Sequence, residues 1–234
     1  MLVPYVNNNG VNIHYEVLGS GKPVVLVPGL FGSINHLKDR GWVDLLSPEF
    51  QLIIAEVRAH GESDTPSDLT QYSLKHRMSD VIAAMDDAGI DTAAYLGYSM
   101  GSAIGFGLSE HFSERFNSFV LDGAHPYPKD LSWVKNLIND RRTQGLIPDD
   151  FDLTPFFSIL DHEEEGTGVD PTLVQEPCFV FYGGKDHGIN EARQVARELP
   201  NCEFLQLAGL GHRAAFEPSD ELVPVAQRFL REHA

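Results

Sequence analysis

The pattern of hydrophobic and polar positions predicts strands and helices in alternation. Short continuous apolar runs, typical of strands buried on both faces of a sheet, occur at 23–27, 51–57, 92–96, 116–121, 177–182 and 202–207. Alternating apolar and polar residues at 11–18 predict a half-exposed strand. Helical spacing or context predicts helices at 36–46, 72–88, 191–199 and 220–230, and another after the run at 92–96. This alternation indicates an α/β protein with a mainly parallel sheet and helices on both faces.

One region interrupts the alternation, because residues 126–171 contain no predicted buried strand. An amphipathic helix is predicted at Leu131–Arg142, and a short helix at Thr154–Leu160 with Thr154 as N-cap and proline at the first helical position. We interpret this region as a small helical cap inserted into a core made of residues 1–125 and 172–234. The alternative, a pair of structural helices packed on the sheet edge, overlaps with this interpretation.

The pentapeptide Gly97-Tyr98-Ser99-Met100-Gly101 follows the apolar run at 92–96 and precedes a small-residue-rich segment. A G-x-S-x-G sequence between a strand and a helix is typical of a nucleophile elbow, whose strained turn requires flanking glycines. The turn holds the Ser99 hydroxyl at the carboxyl end of a strand, above a helix N-terminus that stabilises anions. The alternative is an ordinary strand-to-helix turn, since such pentapeptides also arise by chance.

A nucleophilic serine needs a general base and an acid that orients the base. Residues that follow different parallel strands converge at the carboxyl edge of the sheet. His212 follows the strand at 202–207 and Asp186 follows the strand at 177–182. Ser99, Asp186 and His212 are therefore predicted to be the catalytic residues. Asp122, at the preceding strand end, is the competing acid, and Asp186 could instead cap a local turn or helix.

Acyl transfer also needs hydrogen-bond donors for the oxyanion. We predict the N–H of Met100 and one N–H from the loop after the strand at 23–27, with Leu30 preferred over Phe31. The aromatic residues predicted to bind substrate are Phe31, Trp133, Phe156 and Phe157, with Phe151 as a further cap residue of this kind. Packing between cap and sheet is an equally good explanation for any one of the cap aromatics.

Five motifs together resemble the α/β-hydrolase fold superfamily, and specifically its small serine esterase and haloperoxidase-like branch. They are the elbow, Pro28–Gly32, Arg58–Ser63, Gly184–Asp186 and Gly211–His212. The resemblance covers nearly the whole chain and implies a helical cap inserted after the sixth strand of the fold. Two departures concern substrate preference: Pro28 replaces the usual histidine of a His-Gly pair, and Glu56 replaces the usual aspartate of Asp-x-Arg-Gly-His-Gly. His60, in the second of these motifs, is expected to hold the turn.

The predicted function is hydrolysis of carboxylic esters of short to medium acyl chain, by a carboxylesterase-type enzyme of the EC 3.1.1 class that forms an acyl-enzyme on Ser99. The same catalytic residues also serve C–C hydrolases, lactonases and cofactor-free perhydrolases. A receptor of this fold with little turnover is the alternative from another class. No cofactor or metal is expected, because the ten histidines show no metal-binding spacing such as HExxH.

The composition of the chain limits the binding partners and the cellular compartment that are expected. The 234 residues include 17 basic and 34 acidic ones, a net charge of −17 that disfavours nucleic acid and membrane surfaces as partners. A small-molecule ester is the expected partner, and a homo-oligomer is possible. The N-terminus lacks a basic segment followed by an apolar run, and no stretch of 18 apolar residues occurs, so a cytoplasmic protein is expected. Cys178 and Cys202 are expected to be reduced thiols.

Overall fold

The structure, a computed structural model, describes residues 4–234 and contains one eight-stranded sheet in the order β1-β2-β4-β3-β5-β6-β7-β8. Strands β3 to β8 are parallel, while β1 and β2 are joined to the sheet by antiparallel pairing. The strands are β1 Tyr5–Asn8, β2 Val11–Gly19, β3 Lys22–Val27, β4 Phe50–Ala55, β5 Ala93–Tyr98, β6 Phe116–Asp122, β7 Cys178–Gly183 and β8 Cys202–Leu207. The predicted mainly parallel α/β fold is confirmed.

Nine α-helices occur within the described residues, and they lie on both sides of the sheet. They are α1 Ile34–Asp39, α2 Trp42–Leu46, α3 Leu74–Asp87, α4 Met100–His111, α5 Ser132–Thr143, α6 Thr154–Glu164, α7 Ile189–Glu198, α8 His212–Ala215 and α9 Val223–His233. Across residues 4–234, none of these helices has the length and apolar character that crossing a membrane requires.

Two predicted helices were wrong in detail, and one strand was not predicted. The helix predicted at 36–46 is two helices, because Gly41 between them adopts a left-handed conformation with φ 84°. The last helix starts at Val223 and not at 220, and Pro224 lies in its first turn, the helical position that tolerates a residue without an N–H. Strand β1 was not predicted, because its four residues, Tyr-Val-Asn-Asn, are half polar.

Two hydrophobic clusters cover the two faces of the sheet, and alternate residues of a strand belong to one cluster or the other. In β3, Val25 and Val27 enter one cluster, while Val24 and Leu26 enter the other. The first cluster includes residues of α3, α4 and α7, and the second includes residues of α1, α2 and α9. Burial on both faces explains why the central strands are continuous apolar runs.

The cap segment, residues 126–171, contains α5 and α6 and directly follows β6. A third cluster of four buried residues joins these helices to the loop after β3; it comprises Ile138, Leu153, Phe156 and Leu160. The prediction that Thr154 is the N-cap was wrong. Leu153 occupies that position, and the Asp152 carboxylate accepts the Thr154 N–H at 2.9 Å. An ion pair of 2.8 Å between Arg77 on α3 and Glu163 on α6 ties the cap segment to the core.

Cys178 and Cys202 are direct register partners on the neighbouring strands β7 and β8, and both are free thiols. Burial raises the pKa of the Cys202 thiol to about 11, with the Glu203 carboxylate adding to the effect, and burial also raises the pKa of the Cys178 thiol. Both side chains are therefore protonated at neutral pH.

Candidate active site

Ser99 occupies a strained turn between β5 and α4, with φ 53° and ψ −113°. Its N–H donates to the Asp122 carbonyl oxygen at 2.7 Å, which anchors the turn to β6. A Cβ added at Gly97 would lie 2.6 Å from the Gly101 carbonyl group, and one at Gly101 would lie 2.1 Å from the Val27 carbonyl oxygen. The backbone around the serine can therefore pack this closely only with glycine at both positions.

The structure brings the three predicted catalytic side chains together in one hydrogen-bonded chain. The His212 Nε2 atom lies 2.9 Å from the Ser99 Oγ atom, and the His212 Nδ1 atom lies 2.8 Å from the Asp186 Oδ2 atom. Asp186 follows β7 in a tight turn and is only 6% exposed, while His212 opens α8 after β8. With the histidine protonated on Nδ1, Nε2 is free to take the serine proton.

Gly123 shapes the space that the imidazole occupies. This residue follows β6 with φ 75°, and a Cβ there would lie 2.6 Å from the His212 Cε1 atom. Gly123 was not among the residues predicted to belong to the site. A glycine immediately after the strand that neighbours the elbow strand is the signal that could have indicated a close approach at this point.

Asp122, the competing acid, does not contact His212. It is fully buried, and neither carboxyl oxygen has a hydrogen-bond partner among residues 4–234. Burial raises the pKa of Asp122 well above its usual value, and the nearby charge of Asp186 raises it further. The side chain is thus a neutral carboxylic acid behind the site, while its backbone holds the elbow.

The loop after β3 packs closely against the elbow. A Cβ at Gly29 would lie 2.9 Å from the Tyr98 ring and 3.2 Å from the Ser99 Cβ atom. Phe31 adopts a left-handed conformation with φ 60°, which is uncommon for a residue with a bulky side chain. Within the described part of the chain, the N–H groups of Leu30, Phe31 and Met100 have no acceptor. All three residues line the cavity that contains Ser99, so their N–H groups are available as donors.

Glu56 organises this loop, a role that the sequence analysis did not assign. Its buried carboxylate accepts the Ile34 N–H at 2.7 Å and the Glu62 N–H at 2.7 Å, and it contacts His14 Nδ1 at 2.6 Å. The carboxylate thereby links the end of the loop after β3 to the loop at 58–63. The signal was present, since an acid directly after a buried strand must find donors.

His60 holds the turn at 58–63, as the resemblance implied. Its Nδ1 atom lies 3.1 Å from the Arg58 carbonyl oxygen, and its ring packs edge-on against Phe156. Burial lowers the pKa of His60 to about 4, so the ring is neutral at physiological pH and Nδ1 carries the proton that it donates.

A cavity of about 830 Å³ opens at Ser99, Asp186 and His212, and the cap segment forms much of its wall. Phe31, Trp133 and Phe151 line it, whereas Phe156 and Phe157 do not. Phe156 is buried and stacks on Phe31 with ring centroids 4.3 Å apart, and Phe157 packs against the same cluster. The placement of Phe156 and Phe157 thus contradicts the prediction that they contact substrate; they support the wall from behind.

Trp133 on α5 lies close to His212. Its ring centroid is 4.5 Å from the ring centroid of His187 and 6.3 Å from that of His212. On the other side of His212, Tyr98 lies at a ring distance of 5.3 Å and itself stacks on Phe216. The imidazole is therefore held between an aromatic residue of the core and one of the cap segment.

A serine on a strained strand-to-helix turn, hydrogen-bonded through histidine to an aspartate on a later strand, defines the hydrolase site of a doubly wound α/β protein. The chain belongs to the alpha/beta hydrolase fold family, whose family model matches residues 22–157. This membership, together with relatives named as hydrolases, supports a hydrolase.

Among its relatives, the chain is 37% identical over 112 residues to 3-oxoadipate enol-lactonase 2 of Acinetobacter baylyi, a match that covers 47% of this chain and 41% of that protein. It is 31% identical over 124 residues to 2-hydroxy-6-oxo-6-(2'-aminophenyl)hexa-2,4-dienoic acid hydrolase of Metapseudomonas resinovorans. That match covers 51% of this chain and 41% of that protein. Matches to several other curated relatives span 36–66% of those proteins' lengths. A thermophilic esterase from Thermogutta terrifontis shares the fold, with a TM-score of 0.79, 19% identity and 99% of each chain covered.

Proposed function

We propose that the protein is a serine hydrolase that cleaves carboxylic esters of short to medium acyl chain. The observation that carries this proposal is the hydrogen-bonded chain from Ser99 through His212 to Asp186, which ends in a cavity with free backbone donors. Serine, imidazole and carboxylate in this order are the groups that acyl transfer to a hydroxyl requires.

In the first half of the proposed reaction, the Ser99 Oγ atom attacks the ester carbonyl carbon while His212 Nε2 takes the hydroxyl proton, at the observed 2.9 Å. Asp186 keeps the imidazole in the required tautomer and stabilises the imidazolium ion that forms. The tetrahedral intermediate collapses when His212 returns the proton to the leaving alkoxide, which departs as the alcohol. Water then attacks the acyl-enzyme with His212 as base, and the carboxylic acid leaves.

The developing oxyanion would be bound by the Met100 N–H and by one N–H from the loop after β3. Leu30 and Phe31 both have a free N–H in that loop, and Leu30 is our choice for the donor. One such donor contributes about 2.7–4 kcal/mol to transition-state stabilisation. The left-handed Phe31 and the Glu56 carboxylate, which fixes the Ile34 N–H, hold this loop in one conformation before substrate binds.

The cavity supports the proposed substrate size. Its volume of about 830 Å³ and the apolar side chains of Leu137, Ile138 and Phe151 in its wall suit a small apolar chain. We propose that the cap segment sets the length of that chain, because α5 contributes a whole face to the wall.

Lactone hydrolysis is the second candidate, favoured by the 37% identity to an enol-lactonase over 112 residues. The chemistry differs only in the leaving group, since the alkoxide of a lactone stays attached to the acyl-enzyme. Hydrolysis of a C–C bond would need a ketone substrate from which a stabilised carbanion leaves and is then protonated; the Metapseudomonas relative is named as the hydrolase of an oxo-dienoic acid.

The first experiment measures hydrolysis of p-nitrophenyl esters from acetate to palmitate by the wild type and by Ser99→Ala. We expect turnover of the shorter esters and a loss on the order of 10⁶-fold in kcat in the variant, because the nucleophile is removed. Ser67→Ala is the matched control, since Ser67 is exposed and lies outside the cavity. Turnover that survives Ser99→Ala would rule out the acyl-enzyme on Ser99, and no turnover of any ester would rule out the esterase.

A further inference from the structure

Helix α5 presents one continuous face to the cavity. The residues of this face recur at helical spacing, while the residues between them point elsewhere; the face consists of Trp133, Val134, Leu137, Ile138 and Arg141. It starts at an aromatic ring over His212, continues through three aliphatic side chains and ends at a guanidinium group. Along this face of α5, the lining of the cavity therefore changes from apolar to cationic.

Arg141 is the cation on this helix that has no partner in the structure. Lys135 pairs with Asp161 and Glu164, and Arg142 donates to the Pro148 and Phe151 carbonyl oxygens. Arg141 is exposed and forms no side-chain hydrogen bond or ion pair with residues 4–234. Three arginines line the cavity: Arg40 pairs with Glu217, whereas Arg141 and Arg213 have no hydrogen bond or ion pair with residues 4–234.

The acidic groups of the cavity lie toward the other end of α5. Asp186 is bound to His212, and Asp130 precedes the helix, where it accepts the Ser132 N–H at 2.8 Å. Glu191 lines the cavity from α7, five residues after Asp186. Glu163, Lys129 and Arg213 line the cavity as well, so both signs of charge occur beside the site, whereas Arg141 ends the α5 face as a cation without an acidic partner.

We propose that the substrate is an ester whose acyl chain ends in a carboxylate, and that Arg141 binds this terminal group. The distance along α5 from Trp133 to Arg141 is eight residues at about 1.5 Å each, or about 12 Å. Fully extended sebacate, with ten carbons, has roughly this length. The exposed side chains of Leu137, Leu146 and Phe151 line the mouth of the cavity and would contact the methylene groups between the two ends. The inference rests on the proposed esterase function and defines its substrate class.

The test compares matched pairs of p-nitrophenyl esters that differ only in the terminal group. The pairs are adipate with hexanoate, suberate with octanoate and sebacate with decanoate, each diacid as its monoester. We expect the ratio of kcat/KM, diacid over neutral ester, to rise along the series and to be largest at sebacate. The preference should arise in KM, since Arg141 binds ground and transition states alike, and it should shrink as salt is added.

In Arg141→Gln, the sebacate-to-decanoate ratio should fall about fivefold, the size expected for a solvent-exposed ion pair. Arg141→Lys should keep part of the preference, because the charge remains without the bidentate geometry. Arg197→Gln is the matched control, since Arg197 is an exposed arginine on α7 that does not line the cavity. Its ratio should equal that of the wild type.

Three results would overturn the assignment while leaving the esterase in place. The first is hydrolysis of the neutral esters with no preference for any diacid. The second is an equal loss on both series in Arg141→Gln, which would show that Arg141 only stabilises the end of α5. The third is a preference that peaks at adipate and disappears in Arg213→Gln, since Arg213 lines the cavity next to His212.

A binding measurement tests the recognition of the terminal carboxylate without relying on hydrolysis. Calorimetric titration of Ser99→Ala with monomethyl sebacate and with methyl decanoate measures recognition of the terminal carboxylate without hydrolysis. Tighter binding of the diacid ester, lost when Arg141→Gln is added, supports the inference even where the p-nitrophenyl esters are not cleaved. Equal binding of the two esters contradicts it.

Discussion

Asp122 ends β6 and Asp186 follows the neighbouring strand β7, and of these two buried aspartates only Asp186 is hydrogen-bonded to His212. Asp186 accepts the Gly188 N–H, and its Oδ2 atom lies 2.8 Å from the His212 Nδ1 atom. Asp122 has no donor on either oxygen among the described residues, so burial and the charge of Asp186 keep it protonated. Two residues of the same type thus have different hydrogen-bonding environments in the same part of the site.

This difference predicts that the same substitution has a large effect on kcat at one aspartate and little effect at the other. Asp186→Asn should reduce kcat by about 10⁴-fold, because the amide cannot hold the imidazole in the required tautomer. Asp122→Asn should leave kcat within a fewfold of wild type, since an amide resembles the neutral acid that it replaces. Steady-state kinetics on one ester distinguishes the two, and a larger loss in Asp122→Asn would show that Asp122 is the catalytic acid.

At the scale of the elements, the ion pair between Arg77 and Glu163 joins α3 of the core to α6 of the cap segment. Arg77 is fully buried and Glu163 nearly so, and the Lys129 side chain lies near the same carboxylate. Burial lowers the pKa of Lys129, while the charge of Glu163 opposes that shift. Glu163 therefore balances two cations where the cap segment meets the core.

Glu163→Gln should lower the free energy of unfolding by about 3–5 kcal/mol, because it leaves the Arg77 charge buried without a partner. Arg77→Met should cost less, since the remaining Glu163 still has Lys129 nearby. Replacing both members by methionine should recover stability relative to Glu163→Gln. Urea denaturation of the three variants tests this order, and equal stability of Glu163→Gln and wild type would contradict it.

Much of the element pattern could be predicted from the sequence, because strands buried on both faces have a strong signal. The strands from β2 to β8 were found, while β1 was missed because half of its residues are polar. The helix predicted at 36–46 was wrong because a left-handed glycine at Gly41 splits it without interrupting the apolar pattern. Boundaries of this kind depend on backbone conformation, which periodicity does not report.

The residues that end strands at the carboxyl edge could also be predicted, since topology brings them together. Ser99, Asp186 and His212 were chosen on this basis, and they form one hydrogen-bonded chain. The side chains of the cavity wall could not be predicted in the same way. Phe156 and Phe157 face away from the cavity and Arg141 faces it, because the packing of the cap segment, and not the strand order, decides which helix faces are inward.

At the scale of the whole molecule, two buried histidines influence the response to acid. Burial lowers the pKa of His60 and that of His125 to about 4 from an ordinary value of 6.5. The unfolded chain therefore binds more protons than the folded one between pH 6.5 and 4, so these groups make stability fall as the pH falls through that range. Asp122 acts in the opposite sense, because its folded pKa is raised and its contribution to stability is lost as the pH rises.

Each histidine should reduce the free energy of unfolding by roughly 2 kcal/mol between pH 7 and pH 5. Chemical denaturation at the two pH values, for the wild type and for His60→Gln with His125→Gln, isolates this contribution from that of the carboxyl groups. The double variant should lose less stability than the wild type over the same interval. Parallel loss in the two proteins would show that the histidines are already charged in the fold.

Gly123 has a consequence that concerns tolerance to mutation. It carries no side chain and no reactive group, yet any other residue would place a carbon 2.6 Å from the Cε1 atom of the His212 imidazole. In a survey of every substitution scored by activity, this position would rank with the nucleophile and the base. The essential positions of such a protein therefore include some at which a side chain of any kind abolishes activity, although the residue itself takes no part in the chemistry.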